Sequence, residues 1–287
     1  MSNDECRRNV ENSRWTRRAL LGFAFGAPFL ALYLSQTNLW IALAPLFVSH
    51  LLLLYATLVP NCQWWGPVIR AFHTTQPEVW ITIDDGPSPA HTPKILDLLE
   101  RFNARATFFV VGTRAEEYPH LITEILSRGH QIANHTYTHP RGMFWAAGPA
   151  RIAAEIDRCA EWLRSAPDRP ARLFRAPVGM KNLFVHPELA RRGLALIGWT
   201  VRGLDTVKRE PALVAERILR EAKAGAIILL HEGHRIAKDP EFGPRCLELT
   251  LSGLAERGYQ CVIPRAEQLS ERLARCGNPK SQAPKPK

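Results

Sequence analysis

Two long uncharged runs open the chain, and apolar stretches alternating with amphipathic ones fill the rest. Residues 19–35 (ALLGFAFGAPFLALYLS) hold no charge, and after Gln36, Thr37 and Asn38 a second uncharged run covers 39–59. Each approaches the ~20 residues that cross the hydrocarbon core of a bilayer. Pro28 and Pro45 would break soluble helices but are tolerated in lipid, where neighbouring groups re-satisfy the freed carbonyls. With so short a polar link, the pattern predicts a transmembrane helical hairpin. From residue 78 onward, apolar runs at 79–83, 106–111, 131–133, 173–174, 194–199, 226–230 and 259–262 predict strands separated by helices. In the first helix, Thr92 is the expected N-cap, Pro93 takes the first turn, and Ile95, Leu98, Leu99 and Phe102 share a face. This alternation predicts an α/β fold, an incomplete (β/α)7 barrel preceded by the N-terminal transmembrane hairpin; a doubly wound sheet fits the same pattern.

The expected organisation is a basic tail (1–18), two membrane helices (19–59), an interfacial linker carrying Trp64 and Trp65 (60–77), an α/β domain (78–276) and a disordered tail (277–287). Arg14, Arg17 and Arg18 ahead of an apolar run also fit a signal peptide, but no small-residue cleavage site precedes the second run. Arg7, Arg8, Arg14, Arg17 and Arg18 precede the first span, whereas Arg70 stands alone shortly after the second. The positive-inside rule then places the N-terminus in the cytoplasm, and two crossings return the α/β domain to that side of the inner membrane. With one crossing it would lie outside.

A net charge of +10 suits nucleic acid, an anionic bilayer or an acidic polymer equally. Much of the excess sits in the two tails, with no basic run interleaved with aromatics, which argues against nucleic acid. The six cysteines form no Cys-x-x-Cys pair and no tight disulfide framework.

Polar residues cluster just after the predicted strands, where parallel α/β folds build their sites: Asp84 and Asp85, His135, Arg175 and His231. His135 and His139 stand four apart, a spacing that puts both rings on one face of a helical turn, and Asp85 adds an oxygen ligand. Such a set leaves a position open for water and substrate. Zinc is the default ion, with cobalt, nickel or manganese as alternatives. Taken alone, the Asp-Asp-Gly segment reads equally as a solvated turn, and Arg175 with Asp205 as an ordinary ion pair joining loops.

The segments Ile83-Asp-Asp-Gly-Pro-Ser-Pro-Ala-His-Thr-Pro93, His135-Thr-Tyr-Thr-His139, Arg175-Ala-Pro-Val-Gly179, Asp205 and Leu229-Leu-His231, in this order, resemble the polysaccharide deacetylase family, the NodB-like carbohydrate esterases, over roughly 73–276. The resemblance implies a metal-dependent N-deacetylase. It implies Asp84 as general base, Asp85, His135 and His139 as metal ligands, and His231 as general acid oriented by Asp205. It further implies that Arg175 holds Asp84, that the Val178 N–H donates to the oxyanion, and that Leu229 lines the acyl pocket. Two positions depart from the family pattern. Val178 stands where a bulky or aromatic residue is usual, and Arg202-Gly-Leu-Asp205-Thr206 lacks the usual Asp and Trp. The loss removes stacking surface for a sugar ring, while Arg202 adds a charge suited to phosphate or carboxylate. The expected substrate is therefore an N-acylated (acetyl or formyl) amino sugar, on a lipid-linked glycan before a polysaccharide. Exported cell-wall polysaccharide deacetylation and a non-catalytic glycan-binding role are the rival readings.

Overall fold

A computed structural model of the protein describes residues 3–140, 142–164, 172–207, 210–232 and 239–269, with the backbone alone for 3–12. The predicted tail at 277–287 lies outside these residues. Helices α1 (Asn3–Leu34) and α2 (Leu39–Leu58) form an antiparallel hairpin in which Asn38 caps α2, its side chain accepting from the N–H groups of Trp40 and Ile41. The stretch of α1 from Ser13 and the whole of α2 are each long and apolar enough to cross a membrane. Their outward faces expose Phe25, Phe29, Trp40 and Phe47 to the surroundings.

The remaining elements alternate as the pattern predicts: β1 (Glu78–Asp84), α3 (Thr92–Arg101), β2 (Ala106–Val110), α4 (Gly112–Glu117), α5 (Pro119–Ser127), β3 (Gln131–Asn134), α6 (Pro149–Arg164), β4 (Leu173–Phe174), α7 (Val185–Arg191), β5 (Ala195–Leu196), β6 (Val201–Arg202), α8 (Pro211–Glu221), β7 (Ile227–His231), α9 (Phe242–Glu256) and β8 (Gln260–Cys261). The strands pair in parallel in the order β5-β4-β3-β2-β1-β7-β6, with β8 joining the start of β1. This is a half-closed barrel wrapped by helices. Buried Val79, Ile81 and Ile83 on β1, Phe108 and Val110 on β2, and Ile228 on β7 pack against Ile95 and Leu99 of α3, Ile218 of α8 and Leu251 of α9. Large aliphatic and aromatic side chains on both partners make this layer the main source of hydrophobic stabilisation.

Three local expectations are corrected. The predicted strand at 194–199 shortens to β5, because the chain turns after it, and the following strand β6 was not foreseen: Gly198 donates to the Ile69 carbonyl, and Asn61 donates to the carbonyl of Trp199. Thr92 is the first residue of α3 and His91 its N-cap; the Thr92 hydroxyl accepts from the Ser88 N–H and donates to the buried carboxyl of Glu232. The linker is also barrel wall, with Ile69 bridging to Ile197 and Ala71 to Ala226. Trp65, expected in an interfacial belt, is 3% exposed and donates to Thr57 on α2. The four described cysteines, Cys62, Cys159, Cys246 and Cys261, are free thiols.

A buried lysine helps tie the hairpin to the domain. Lys181, buried, donates from Nζ to the carbonyls of Val59 (3.1 Å) and Pro60 (2.6 Å), and from its N–H to Thr57 O (3.1 Å). These carbonyls lie at the C-terminal end of α2, where helix groups lack intrahelical partners and the dipole favours a cation. Burial lowers the Lys181 ammonium to about 8. The Lys181→Met variant loses both charged hydrogen bonds and is expected to unfold about 1–3 kcal/mol more easily, read by thermal denaturation of the full chain in detergent.

Candidate active site

Strand β1 ends in Asp84, and the next residue turns sharply, Asp85 standing at φ 72°. Adjacent strand residues face opposite sides, so without that turn the two carboxylates would point apart. With it, both reach one pocket. The structure corrects the helical turn expected for His135 to His139: the segment is an irregular loop after β3, with Thr136 at φ 69° and His139 at φ 50°. Such left-handed backbone costs of order 1–3 kcal/mol per residue and persists only where neighbours hold it. Here Asn134 accepts from the Thr136 N–H, Thr136 Oγ1 from the His139 N–H, and Glu155 on α6 from the N–H groups of Tyr137 and Thr138 and the Thr138 hydroxyl.

The loop brings the two imidazoles to ring centroids 4.8 Å apart. Asp85 Oδ1 lies 3.4 Å from His135 Nε2 and 3.1 Å from His139 Nε2, and the ligand-capable atoms of the three residues all fall within 4.8 Å of one another. His135 Nδ1 sits 2.9 Å from the Arg175 carbonyl, a contact that makes Nδ1 the protonated nitrogen and leaves Nε2 as the donor atom. Burial would raise the Asp85 carboxyl, but the hydrogen bond from His135 and the charges of His135, His139 and His231 hold it well below the usual range. Two imidazoles and an ionised carboxylate, converging and nearly buried, are the donor chemistry of a divalent metal site.

Arg175, 0% exposed, donates from Nη1 to Asp84 Oδ1 (2.6 Å) and Thr82 Oγ1 (2.9 Å), and from Nη2 to the Gly198 carbonyl (3.0 Å). Its guanidinium lies 4.1 Å from the centre of the Phe109 ring. The other Asp84 oxygen, Oδ2, lies 3.7 Å from His135 Nε2. Across the pocket, Asp205 Oδ1 is 2.9 Å from His231 Nδ1 while Oδ2 accepts from the His231 N–H at 2.6 Å. Burial works against protonation of His231, but the charge and hydrogen bond of Asp205, with Asp84 and Asp85 beyond, raise it to about 9.

Asp84, Asp85, His135, His139, Val178, Gly179, Trp199, Arg202, Thr206, Leu229 and His231 line one cavity of about 150 Å³. Every site residue expected from the sequence is thus at this rim, Arg175 and Asp205 standing directly behind it. Val178 is held at φ 56°, and its N–H donates to no acceptor among the described residues. Trp199 supplies an aromatic wall that the motif comparison missed, while Val178 and Thr206 stand in the cavity without the aromatic side chains usual there; the place of Trp199 at the end of an apolar run was the available signal. Glu155 was also missed, because nothing in the sequence marks a carboxylate on α6 as the support of a loop before it.

A parallel half-barrel with an Asp-His-His donor set at its rim, beside a second carboxylate and an Asp-oriented histidine, defines a metal-dependent hydrolase. The sequence profile of the polysaccharide deacetylase family matches residues 72–197. The chain is 37% identical over 161 residues to the chitooligosaccharide deacetylase of Sinorhizobium fredii, covering 56% of this chain and 74% of that one. Among solved structures, the peptidoglycan deacetylase PdaC from Bacillus subtilis superposes with a TM-score of 0.60 at 27% identity, over 70% of this chain and 93% of that one. A family pseudoenzyme from Bacillus anthracis gives 0.61 at 25% identity, over 71% and 69%. The chain belongs to the polysaccharide deacetylase family, and its activity is hydrolytic N-deacetylation of amino sugars in glycans. Since a pseudoenzyme shares the fold, the assignment of activity leans on the residues at the rim.

Purified protein is expected to carry one divalent ion per chain, with Asp85→Asn and His135→Ala each cutting retention at least tenfold by elemental analysis. A raised histidine contributes stability that is full below its unfolded value of 6.5 and is lost as pH rises through about 9. Thermal midpoints of the wild type should therefore fall between pH 6.5 and 9 relative to Asp205→Asn, in which that slope disappears.

Proposed function

We propose that the protein removes an N-acyl group, acetyl or formyl, from an amino sugar on a lipid-linked, phosphate-bearing glycan, at the cytoplasmic face of the membrane that its hairpin crosses. One observation carries this reading: the rim loop bearing Val178 is fastened to the end of the second span. Gly179 lies so close to Pro60 and Trp199 that an added Cβ would stand 2.6 Å from each, and Lys181 binds the Val59 and Pro60 carbonyls. With the hairpin in a bilayer, this fastening would set the cavity mouth beside the membrane surface. Arg202, on the cavity wall over the Trp199 ring, has a buried Nε with no hydrogen-bond partner among the described residues, a guanidinium suited to an anionic group on the substrate. The basic residues before the first span support the cytoplasmic orientation.

When bound at Asp85, His135 and His139, a divalent ion, zinc by default for this donor set, supplies Lewis acidity to the acyl carbonyl and to the attacking water. Asp84, with Oδ1 held by Arg175, takes the water proton as oxygen adds to the acyl carbon. The Val178 N–H donates to the oxyanion that forms, a preorganised interaction worth about 3–4 kcal/mol in comparable sites. His231, kept protonated by Asp205, passes its proton to the sugar nitrogen as the C–N bond breaks, releasing a carboxylate and a free amine. Leu229 packs against the acyl methyl.

The names of the relatives, chitooligosaccharide and peptidoglycan deacetylases, favour a second reading on polymer outside the cell. A reporter fused after Lys287 separates the two: cytoplasmic exposure supports the lipid-linked substrate, and external exposure the polymer. Asp84→Asn should lower turnover at least a hundredfold while the metal stays bound, and the same turnover in both proteins would point to the non-catalytic relative. Arg202→Ala should weaken binding of a phosphate-linked amino sugar about tenfold with metal content unchanged. Equal turnover of neutral chitooligosaccharides by both would count against the phosphate.

A further inference from the structure

A second cavity, of about 280 Å³, lies where α1 meets the domain, apart from the catalytic rim; Arg14, Arg17, Trp65, Gly66, His186 and Ala190 are among its walls. Arg14 and Arg17 stand three residues apart on α1, a spacing that brings both guanidinium groups down on the same face. Neither pairs with a carboxylate among the described residues, and no acidic residue lines the cavity; Arg17 donates to the Leu183 carbonyl. Also lining the cavity, the imidazole of His186 packs against Gly66, and its Nε2 is buried with no hydrogen-bond partner among the described residues. Burial, helped by the positive charges of Lys181 and Arg17, lowers His186 to about 3 and keeps the ring neutral, with one N–H to donate. Two cations and an imidazole whose buried Nε2 lacks a partner, around an open volume, ask for an anion.

The position says which anion. Arg14 precedes the apolar part of α1, and Trp65 is joined through its indole N–H to Thr57 in the last turn of α2, so the cavity lies level with the polar ends of both candidate spans. We infer that this cavity binds the phosphate of an anionic phospholipid from the adjoining leaflet, between Arg14 and Arg17 on α1 and His186 on α7, and so clamps the domain to the bilayer. The inference rests on the membrane reading of the hairpin, and on nothing at the catalytic rim.

The test is lipid retention by the full-length protein in mild detergent, counted by native mass spectrometry with phosphatidylglycerol against phosphatidylcholine. One phosphatidylglycerol per chain should bind roughly thirtyfold more tightly, two arginines contributing about fivefold each. The preference should vanish in Arg14→Gln/Arg17→Gln, and in Ala190→Trp, which fills the cavity while both arginines remain. It should survive Arg18→Gln, which removes a neighbouring charge from outside the cavity. Equal preference in wild type and the double variant overturns the inference. So does displacement of the lipid by 10 mM inorganic phosphate, which would make this a site for a free anion. Alkaline carbonate extraction of cell membranes tells the two failures apart: an extracted protein removes the membrane reading and this inference with it, while a retained protein without lipid preference removes this inference alone.

Discussion

The buried guanidinium of Arg175 is the constraint on which the rest of the site depends. A cation with no solvent access costs several kcal/mol unless paired and fully hydrogen-bonded, and each of its partners here is an element of the site. Asp84 supplies the counter-charge. Thr82, which accepts from Arg175 and donates to the Ile228 carbonyl, couples it to the β1–β7 pairing. The carbonyls of Ile197 and Gly198 fix the turn from which Trp199 enters the pocket wall, and the backbone carbonyl of Arg175 itself sets the tautomer of His135. One side chain thus aims the base, a metal ligand and the aromatic wall together. Such an ion pair adds little net stability compared with apolar packing, so its contribution is geometric.

A second layer of support holds backbone that would otherwise relax. Asp85, Thr136, His139, Val178 and Leu204 all stand at positive φ within or beside the site, and two of them are β-branched, the residues for which that conformation is least favourable. The supports come from a distance: Glu155 on α6 for the histidine loop, and Arg114 on α4 donating to the Asp85 carbonyl. The hydrophobic layers of the half-barrel hold these helices in place, so core packing and site geometry are linked through a few buried polar contacts.

This division explains what the sequence made legible. Residues that do chemistry sit at the ends of predicted strands, and continuous apolar runs locate those ends to within a residue or two; Asp84, His135, Arg175 and His231 could be placed from the sequence. Of the residues that hold the chemistry in place, Arg175 and Asp205 were legible through the family motifs, and the others were not. Glu155 and Lys181 act across the fold, and neither spacing nor composition marks a buried carboxylate or ammonium as a backbone partner. The histidine pair shows the same limit: a four-residue spacing reads as a helical turn, yet tertiary hydrogen bonds select a left-handed loop that also brings the rings together. The two-residue strand β6 was missed because the apolar run before it hides a turn that Asn61, Ile69 and Arg175 impose.

The fastening of the rim to the hairpin changes what the cavity must do. A pocket of about 150 Å³ with one aromatic wall and one exposed-side cation offers few contacts to a sugar chain, far fewer than a series of subsites would. On the proposed reading, substrate and enzyme share the plane of one bilayer, and confinement supplies the encounter frequency that a soluble enzyme obtains from binding energy. The pocket then has to recognise only the acyl amide and one neighbouring charge. On that reading, Arg202 and Val178 at positions where the family motifs carry an acidic and a bulky residue are consistent with a wall that discriminates charge and admits the acyl group.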